Sequence, residues 1–194
     1  MSKTLPGYET FLLIPAYLDA AGVPWIVTPT GLVDYEHPTT AALNVWQGIF
    51  KPSDTYASHG GNISCAILDD LTLGLASSDT DTAKTICSKG NSEALTLINF
   101  DAQINFKRDE DRDADSLWNL AYQLTRSPDV PYFIGHRVRG ARDSSEAFVV
   151  GDEVDLYFVR TDNQVPAYND NEAITAGQTF IPKSIVNVGY ELTA

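Results

Sequence analysis

Positive charge is scarce in this chain of 194 residues: thirteen Lys and Arg stand against twenty-six Asp and Glu, a formal net charge of −13. Such a surface repels polyanions unless it gathers its few cations in one patch, which argues against sequence-specific nucleic-acid binding. Cysteine is scarcer still. Cys65 and Cys87 are too few for a disulfide scaffold, and they read as reduced, small, buried or half-buried residues. No apolar run approaches the length of a membrane span. The opening Met-Ser-Lys-Thr-Leu-Pro-Gly has neither the apolar stretch nor the cleavage site of a secretion signal, so a soluble protein is expected.

The residues that carry catalysis are equally thin. His37, His59 and His136 are the whole histidine complement, two in a long loop and one on a strand beside Ile134 and Val138, and each reads as structural. A zinc set could be drawn from His37, His59, Cys65 and Cys87, but no two are close in sequence, and close spacing is what makes a zinc signature persuasive. Asp109 to Asp115 places carboxylates at alternate positions like a calcium loop. Ala114 stands where the sharp turn needs glycine, however, and Leu120 where the closing glutamate belongs. A solvated acidic turn fits better. With neither Gly-Lys-Ser nor Gly-x-Gly-x-x-Gly in the chain, nucleotide binding has no support, and no metal or other cofactor is expected.

What the chain does have is the material for one globular domain. Hydrophobic residues are 43% of the total, and a domain of this length hides roughly 70% of its unfolded surface. Period-two alternation is clearest from Leu95 to Phe106, where Ile98, Phe100, Ala102, Ile104 and Phe106 alternate with Asn99, Asp101, Gln103 and Asn105. Thr10 to Leu18 reads as a strand buried on both sides, with Pro15 marking an edge or bulge. Further strands are expected at Ser64–Ala76, Thr82–Ser88, Tyr132–Val138, Glu153–Arg160 and Ile185–Leu192, so the architecture is mainly antiparallel β. One helix is expected over Ser116–Thr125, because Leu117, Leu120, Ala121 and Leu124 form an apolar stripe. Asp113 and Asp115 suit its start, Arg126 its end, and Pro128 blocks extension.

Residues 1–9 read as an N-terminal arm and residues 28–62 as a long inter-strand loop punctuated by proline and glycine. That loop carries Leu43, Val45, Trp46, Ile49, Phe50 and Tyr56. This is more apolar mass than a solvated loop tolerates, so it should dock on its own domain or on a neighbour.

From residue 60 onward the order is wet-faced strand, acidic turn Arg108–Asp115, helix, the phrase Arg-Ser-Pro-Asp-Val-Pro-Tyr-Phe-Ile-Gly-His-Arg over Arg126–Arg137, and a strand after Gly151-Asp152. In this order the chain resembles the major tail (tail tube) proteins of long non-contractile-tailed bacteriophages, the siphophages, particularly those infecting actinobacteria. The resemblance implies a β-sandwich or barrel-like domain with one flanking α-helix. It further implies a virion protein that assembles as hexameric rings stacked into a hollow tube, and is no enzyme. The implied partners are further copies of the chain, the tail tip, tape measure and tail terminator proteins, and DNA that passes without specific binding; no membrane is involved.

Carboxylates and uncharged polar groups facing such a lumen would leave DNA mobile. Candidates are Asp69, Asp70, Asp79, Asp81 and Asp101, with Asn99, Gln103 and Asn105, although each could equally face outside solvent. The loop residues Leu43, Val45, Trp46, Ile49, Phe50 and Tyr56 are the matching candidates for contacts between rings. Two other classes remain open. A virion-associated carbohydrate-binding β-sandwich would stack sugars on Trp25, Trp46, Tyr56 or Tyr168, and a hydrolase would need two carboxylates across a cleft, for which no spacing selects a pair.

Overall fold

The unbroken apolar run of the first strand, β1 (Thr10–Leu18), has a simple cause: the strand has a core on each face. The structure is a computed structural model and describes residues 9–48, 59–68, 71–77, 79–81, 94–109, 111, 116–139, 143–168 and 174–194. Phe11 and Leu13 enter one core, while Leu12, Ile14 and Ala16 enter the other. The strands Pro131–Arg139 and Glu153–Thr161 are covered in the same way. Their Tyr132, Ile134, Tyr157 and Val159 join the first core, and Phe133, Leu156 and Phe158 the second. Strands buried on both faces lose the polar alternation that marks a half-wet sheet.

In chain order the remaining strands are β2 (Pro24–Thr28), β3 (Gly31–Asp34), β4 (Gly61–Asn62), β5 (Thr72–Leu75), β6 (Asp79–Asp81), β7 (Ala94–Leu97) and β8 (Phe100–Lys107). After them come β9 (Pro131–Arg139), β10 (Glu153–Thr161), β11 (Val165–Ala167) and β12 (Thr175–Glu191). Ten of these form one sheet in the order β3-β2-β1-β9-β10-β12-β8-β5, with β4 added to β1 and β11 to β12, while β6 and β7 pair separately. The pairings between these strands are antiparallel. Phe100 of β8 meets Tyr157 of β10 with ring centroids 5.1 Å apart, although β12 lies between those strands in the order. The sheet therefore curls around the first core.

The mainly β, barrel-like expectation matches this architecture, with several differences of detail. Pro15 lies inside the sheet, at the point where the partner of β1 changes from β4, opposite Leu12 and Leu13, to β2, opposite Ala16. A residue without an amide hydrogen fits where one ladder stops and another begins. The stretch Leu95–Phe106 is two strands: β7 pairs with β6 and β8 with β12 and β5, and between them Ile98 is exposed and not in the core. Over Ser64–Ala76 there is a 3-10 turn at Ser64–Ala66 and then β5. The strand expected at Thr82–Ser88 and the arm residues 1–8 fall outside the described residues.

Helix α2 (Leu117–Thr125) lies where the stripe placed it and buries Leu120, Ala121 and Leu124 in the first core. Its N-cap is Ser116, whose Oγ accepts from the Asn119 amide at 3.2 Å, while Asp113 and Asp115 fall outside the described residues. Tyr132 fastens the other end by donating its hydroxyl to the Leu124 carbonyl at 3.1 Å.

Residues 28–62 are not one loop, and the flanking helix is not alone. They hold β3, helix α1 (Thr40–Asn44), a 3-10 turn at Val45–Gln47, and β4. Thr39 caps α1, its Oγ1 accepting from the Ala42 amide at 3.2 Å. So short a helix shows no periodicity that a sequence could reveal. Its role is to deliver Leu43 and Trp46 into the second core, where the Trp46 Nε1 donates to the Val27 carbonyl at 2.9 Å.

Gly60 makes that packing possible. A Cβ there would meet the Leu13 carbonyl oxygen at 2.5 Å, Pro15 Cδ at 2.7 Å and Trp46 Cε3 at 2.9 Å. Gly60→Ala is therefore expected to cost about 1–3 kcal/mol through overpacking against backbone. Urea unfolding checks this, and an unchanged midpoint would show that the 59–62 segment can move away from β1.

Candidate assembly surface

Among the described residues, the surfaces of the sheet without a strand partner include three of note. At one end of the strand order lies β3, with Leu32 exposed, and at the other lies β5, with Leu75 exposed. The third is part of β12. Its Thr175–Thr179 portion pairs with β8 on one side and with β11 on the other, while Phe180–Glu191 pairs with β10 on the side that β11 continues. Beyond Thr179, the side that faced β8 has no strand partner among the described residues. The turn after β3 meets this part of β12 through Asn187 Nδ2, which donates to the carbonyls of Tyr35 at 3.0 Å and Glu36 at 3.2 Å.

The outer face of β8 is polar and nearly neutral. Asp101, Gln103 and Lys107 are exposed and Asn105 half-buried, and their cross-strand neighbours are Gly74, Thr72, Thr179, Gly177 and Thr175. Small neighbours leave these groups standing clear of the surface. Asn99 sits just before β8, half-buried, with its Nδ2 donating to the Ser77 carbonyl at 3.2 Å. Of the other proposed lumen carboxylates, Asp69 and Asp70 lie outside the described residues. Asp79 and Asp81 belong to β6 by their backbone, with their side chains outside the description.

The apolar residues of the long segment separate into two groups. Leu43 and Trp46 are buried in the second core of their own protomer and offer no surface to a neighbouring ring. That expectation is corrected by the short helix, which turns them inward. Val45 is half-buried against the same core, and Ile49, Phe50 and Tyr56 lie outside the described residues. Trp46 is likewise no sugar platform. Trp25 is half-buried with its Nε1 3.4 Å from Asp19 Oδ2, while Tyr168 is exposed.

Several of the titratable groups help to hold structure. Asp34, Glu36 and His37 bring their ligand atoms within 4.8 Å of one another, on the exposed turn after β3. There Asp34 accepts from the Glu36 amide at 3.0 Å and faces His37 Nδ1 at 3.3 Å, and the Tyr35 hydroxyl donates to Glu36. His136 Nε2 stands 3.8 Å from a Glu9 carboxylate oxygen, and His59 lines a pocket of about 310 Å³ with Tyr132 and Arg126. Buried Asp155 accepts from the Tyr157 hydroxyl at 3.1 Å and from the Gly189 amide at 2.7 Å, at a bulge where Gly189 has φ 68°. Burial, and then the charge of Asp155, push the Tyr157 phenol well above its ordinary value, so it acts as a fixed donor. Cys65 is a free, exposed thiol, against the expectation of burial, with its Sγ 3.7 Å from Ser144 Oγ; Cys87 lies outside the described residues.

Sequence reasoning missed a strap over residues 143–152, between β9 and β10. Buried Arg137 holds it: Nη2 donates to the Asp143 carbonyl at 2.7 Å and to Thr10 Oγ1 at 2.8 Å, and Nη1 to the Glu146 carbonyl at 3.1 Å. Asn44 adds a two-way link to Phe148, at 2.9 Å to its carbonyl and 2.6 Å from its amide. At the start of the strap, the amide and then the hydroxyl of Ser145 hold the Asp143 carboxyl below its usual range. Nothing in a sequence marks an arginine as buried, since the type is nearly always exposed.

Among the described residues no helix is long and apolar enough to cross a membrane. No match to the chain was found among curated proteins. The family model described as phage tail tube protein, in contrast, matches residues 14–194, which takes in most of both cores, the curled sheet from the middle of β1 onward and helix α2. The chain belongs to the phage tail tube protein family.

Proposed function

We propose that the chain assembles as hexameric rings, and that these stack into the hollow tube of a long non-contractile siphophage tail through which the genome passes. The family match over residues 14–194 carries this reading. A structural component of the virion tail has to associate with copies of itself, and three features of the fold support ring closure. Strand edges at β3, β5 and the outer side of β12, unpaired among the described residues, are templates for strand pairing, and a closed ring pairs them without leaving an edge for uncontrolled growth.

The outer face of β8 suits a lumen wall. Asp101, Gln103 and Asn105 present one carboxylate and two amides among glycine and threonine neighbours, and with Lys107 as the one cation on this face of β8 such a surface gives DNA phosphates little to condense on. Asn99, Asp69, Asp70, Asp79 and Asp81 extend the same reading. Val45, Ile49, Phe50 and Tyr56 stay as contact residues between rings, joined by the N-terminal arm. The further partners are the tail tip, tape measure and tail terminator proteins, and the tail is of the actinobacteriophage-like kind.

Negative-stain electron microscopy of the purified chain over a concentration series tests the proposal. Rings of six-fold symmetry and hollow tubes are expected, and a monomer persisting to millimolar concentration would overturn it. Asp101→Lys provides a second test, because tubes of this variant should retain DNA at low salt where wild-type tubes do not.

A further inference from the structure

In an acidic chain the cations should find carboxylates close by, and among the described residues Arg160 meets Asp129 at 2.6 Å and Arg137 meets Asp152 at 3.8 Å, whereas Arg108 and Arg126 meet none. Together they line a pocket of about 280 Å³ with Gln164 and Tyr168, and neither guanidinium has a carboxylate within ion-pair reach among the described residues. Arg108 sits over the Tyr122 ring, its Cζ 4.1 Å from the centroid, a cation–π contact that holds the guanidinium at the pocket without using its N–H donors. Gln164 is held in place by donating to the Tyr122 carbonyl at 3.1 Å. Exposed Tyr168 stands at the rim, and exposed tyrosine beside arginine is the composition of an interface anchor.

Ala176, near the start of β12, lines this pocket. The far end of the same strand carries the opposite charge. There Glu191 stands across from Glu153, whose other cross-strand neighbour is Arg139. Glu191 is exposed and has no ion-pair partner among the described residues. From Thr175 to Glu191 the strand runs about 50 Å at some 3.3 Å per residue, so one element carries the cationic pocket at one end of the protomer and the free carboxylate at the other.

We infer that the pocket of Arg108 and Arg126 receives Glu191 of a second copy of the chain, as a head-to-tail ion pair between successive rings. This rests on the stacking proposed above. Two different patches of one surface that fit each other make a heterologous contact, which repeats without closing and therefore propagates a tube. Arg126 and Glu191 lie on the protomer surface, so the pair forms only when copies meet.

A charge-swap cycle tests the inference, using Arg126→Glu, Glu191→Arg and the double variant, with circular dichroism confirming that each folds. The readout is the critical concentration for tubes at 50 mM salt, by sedimentation and electron microscopy. Each single variant is expected to raise it at least about ten-fold, the equivalent of 1.4 kcal/mol, because every ring-to-ring junction repeats the repulsive contact. The double variant should return to within about three-fold of wild type. Tubes that form equally well in wild type and both single variants, or a double variant no better than either single one, would overturn the pairing and leave the tube reading intact. A wild-type chain that stays monomeric overturns both.

Discussion

Arg137→Met is expected to lower folding stability by about 3–5 kcal/mol, close to the side-chain volume it replaces. The guanidinium is buried, and methionine would leave the carbonyls of Asp143 and Glu146 and the hydroxyl of Thr10 without the donor that now meets them. It would also leave the buried Asp152 carboxylate, now 3.8 Å from Nη1, without its cation. A buried polar group stripped of its partner costs its full desolvation, whereas the pair together contributes far less than its parts. The stacking of Arg137 on the Phe148 ring, with Cζ 5.0 Å from the centroid, is lost as well. At 2–4 °C per kcal/mol for a domain of this size, the melting temperature should fall by about 10 °C. Arg137→Lys separates charge from geometry. Lysine keeps the cation for Asp152 but lacks the planar fork that reaches three acceptors at once, so it should recover only part of the loss. Either variant within about 1 kcal/mol of wild type would mean that the strap does not depend on the guanidinium.

What could be read from the sequence follows from which physical signal each element carries. The stripe of Leu117, Leu120, Ala121 and Leu124 placed α2 to within a residue, because a helix with one face on a core repeats its apolar residues regularly. The wet outer face of β8 was legible for the same reason at period two, from Phe100 to Phe106. The break at Ile98 was not, because Ile98 and Asn99 continue the alternation while the chain passes from one partner strand to another. Partner changes are tertiary facts. So is the burial of Arg137, a type that is rarely inside and is retained here only because three acceptors and a carboxylate surround it. At the candidate assembly surface, the polarity of Asp101, Gln103 and Asn105 was visible in the alternation. The meeting of Arg108 with Arg126 was not, since one follows β8 and the other ends α2.

The segment from residue 28 to residue 62 sets the second large prediction, because its apolar content has two explanations with opposite consequences. If Trp46 met a neighbouring ring, Trp46→Ala would leave the isolated protomer as stable as wild type and abolish stacking. The structure buries Trp46 in the second core with Leu12, Ile14, Ile26 and Leu43, and hydrogen-bonds its Nε1 to the Val27 carbonyl. Truncation there is expected to cost about 3–5 kcal/mol, the transfer free energy of the indole plus the cavity it leaves. Urea unfolding at concentrations too low for assembly should show the midpoint falling with little change in slope. Trp46→Phe keeps much of the volume and loses the hydrogen bond, so it should sit between, about 1–2 kcal/mol below wild type. The two variants also bear on assembly, because Gly60 lies between this indole and the Leu13–Pro15 backbone, where β1 changes partner from β4 to β2. A loosened core at that point frees the inner edge of β1, and unpaired edges that should stay inside the protomer become templates for irregular association. Trp46→Ala should therefore give amorphous aggregate in place of tubes as concentration rises. Loss of stacking by an otherwise stable, soluble protomer would instead put Trp46 between rings.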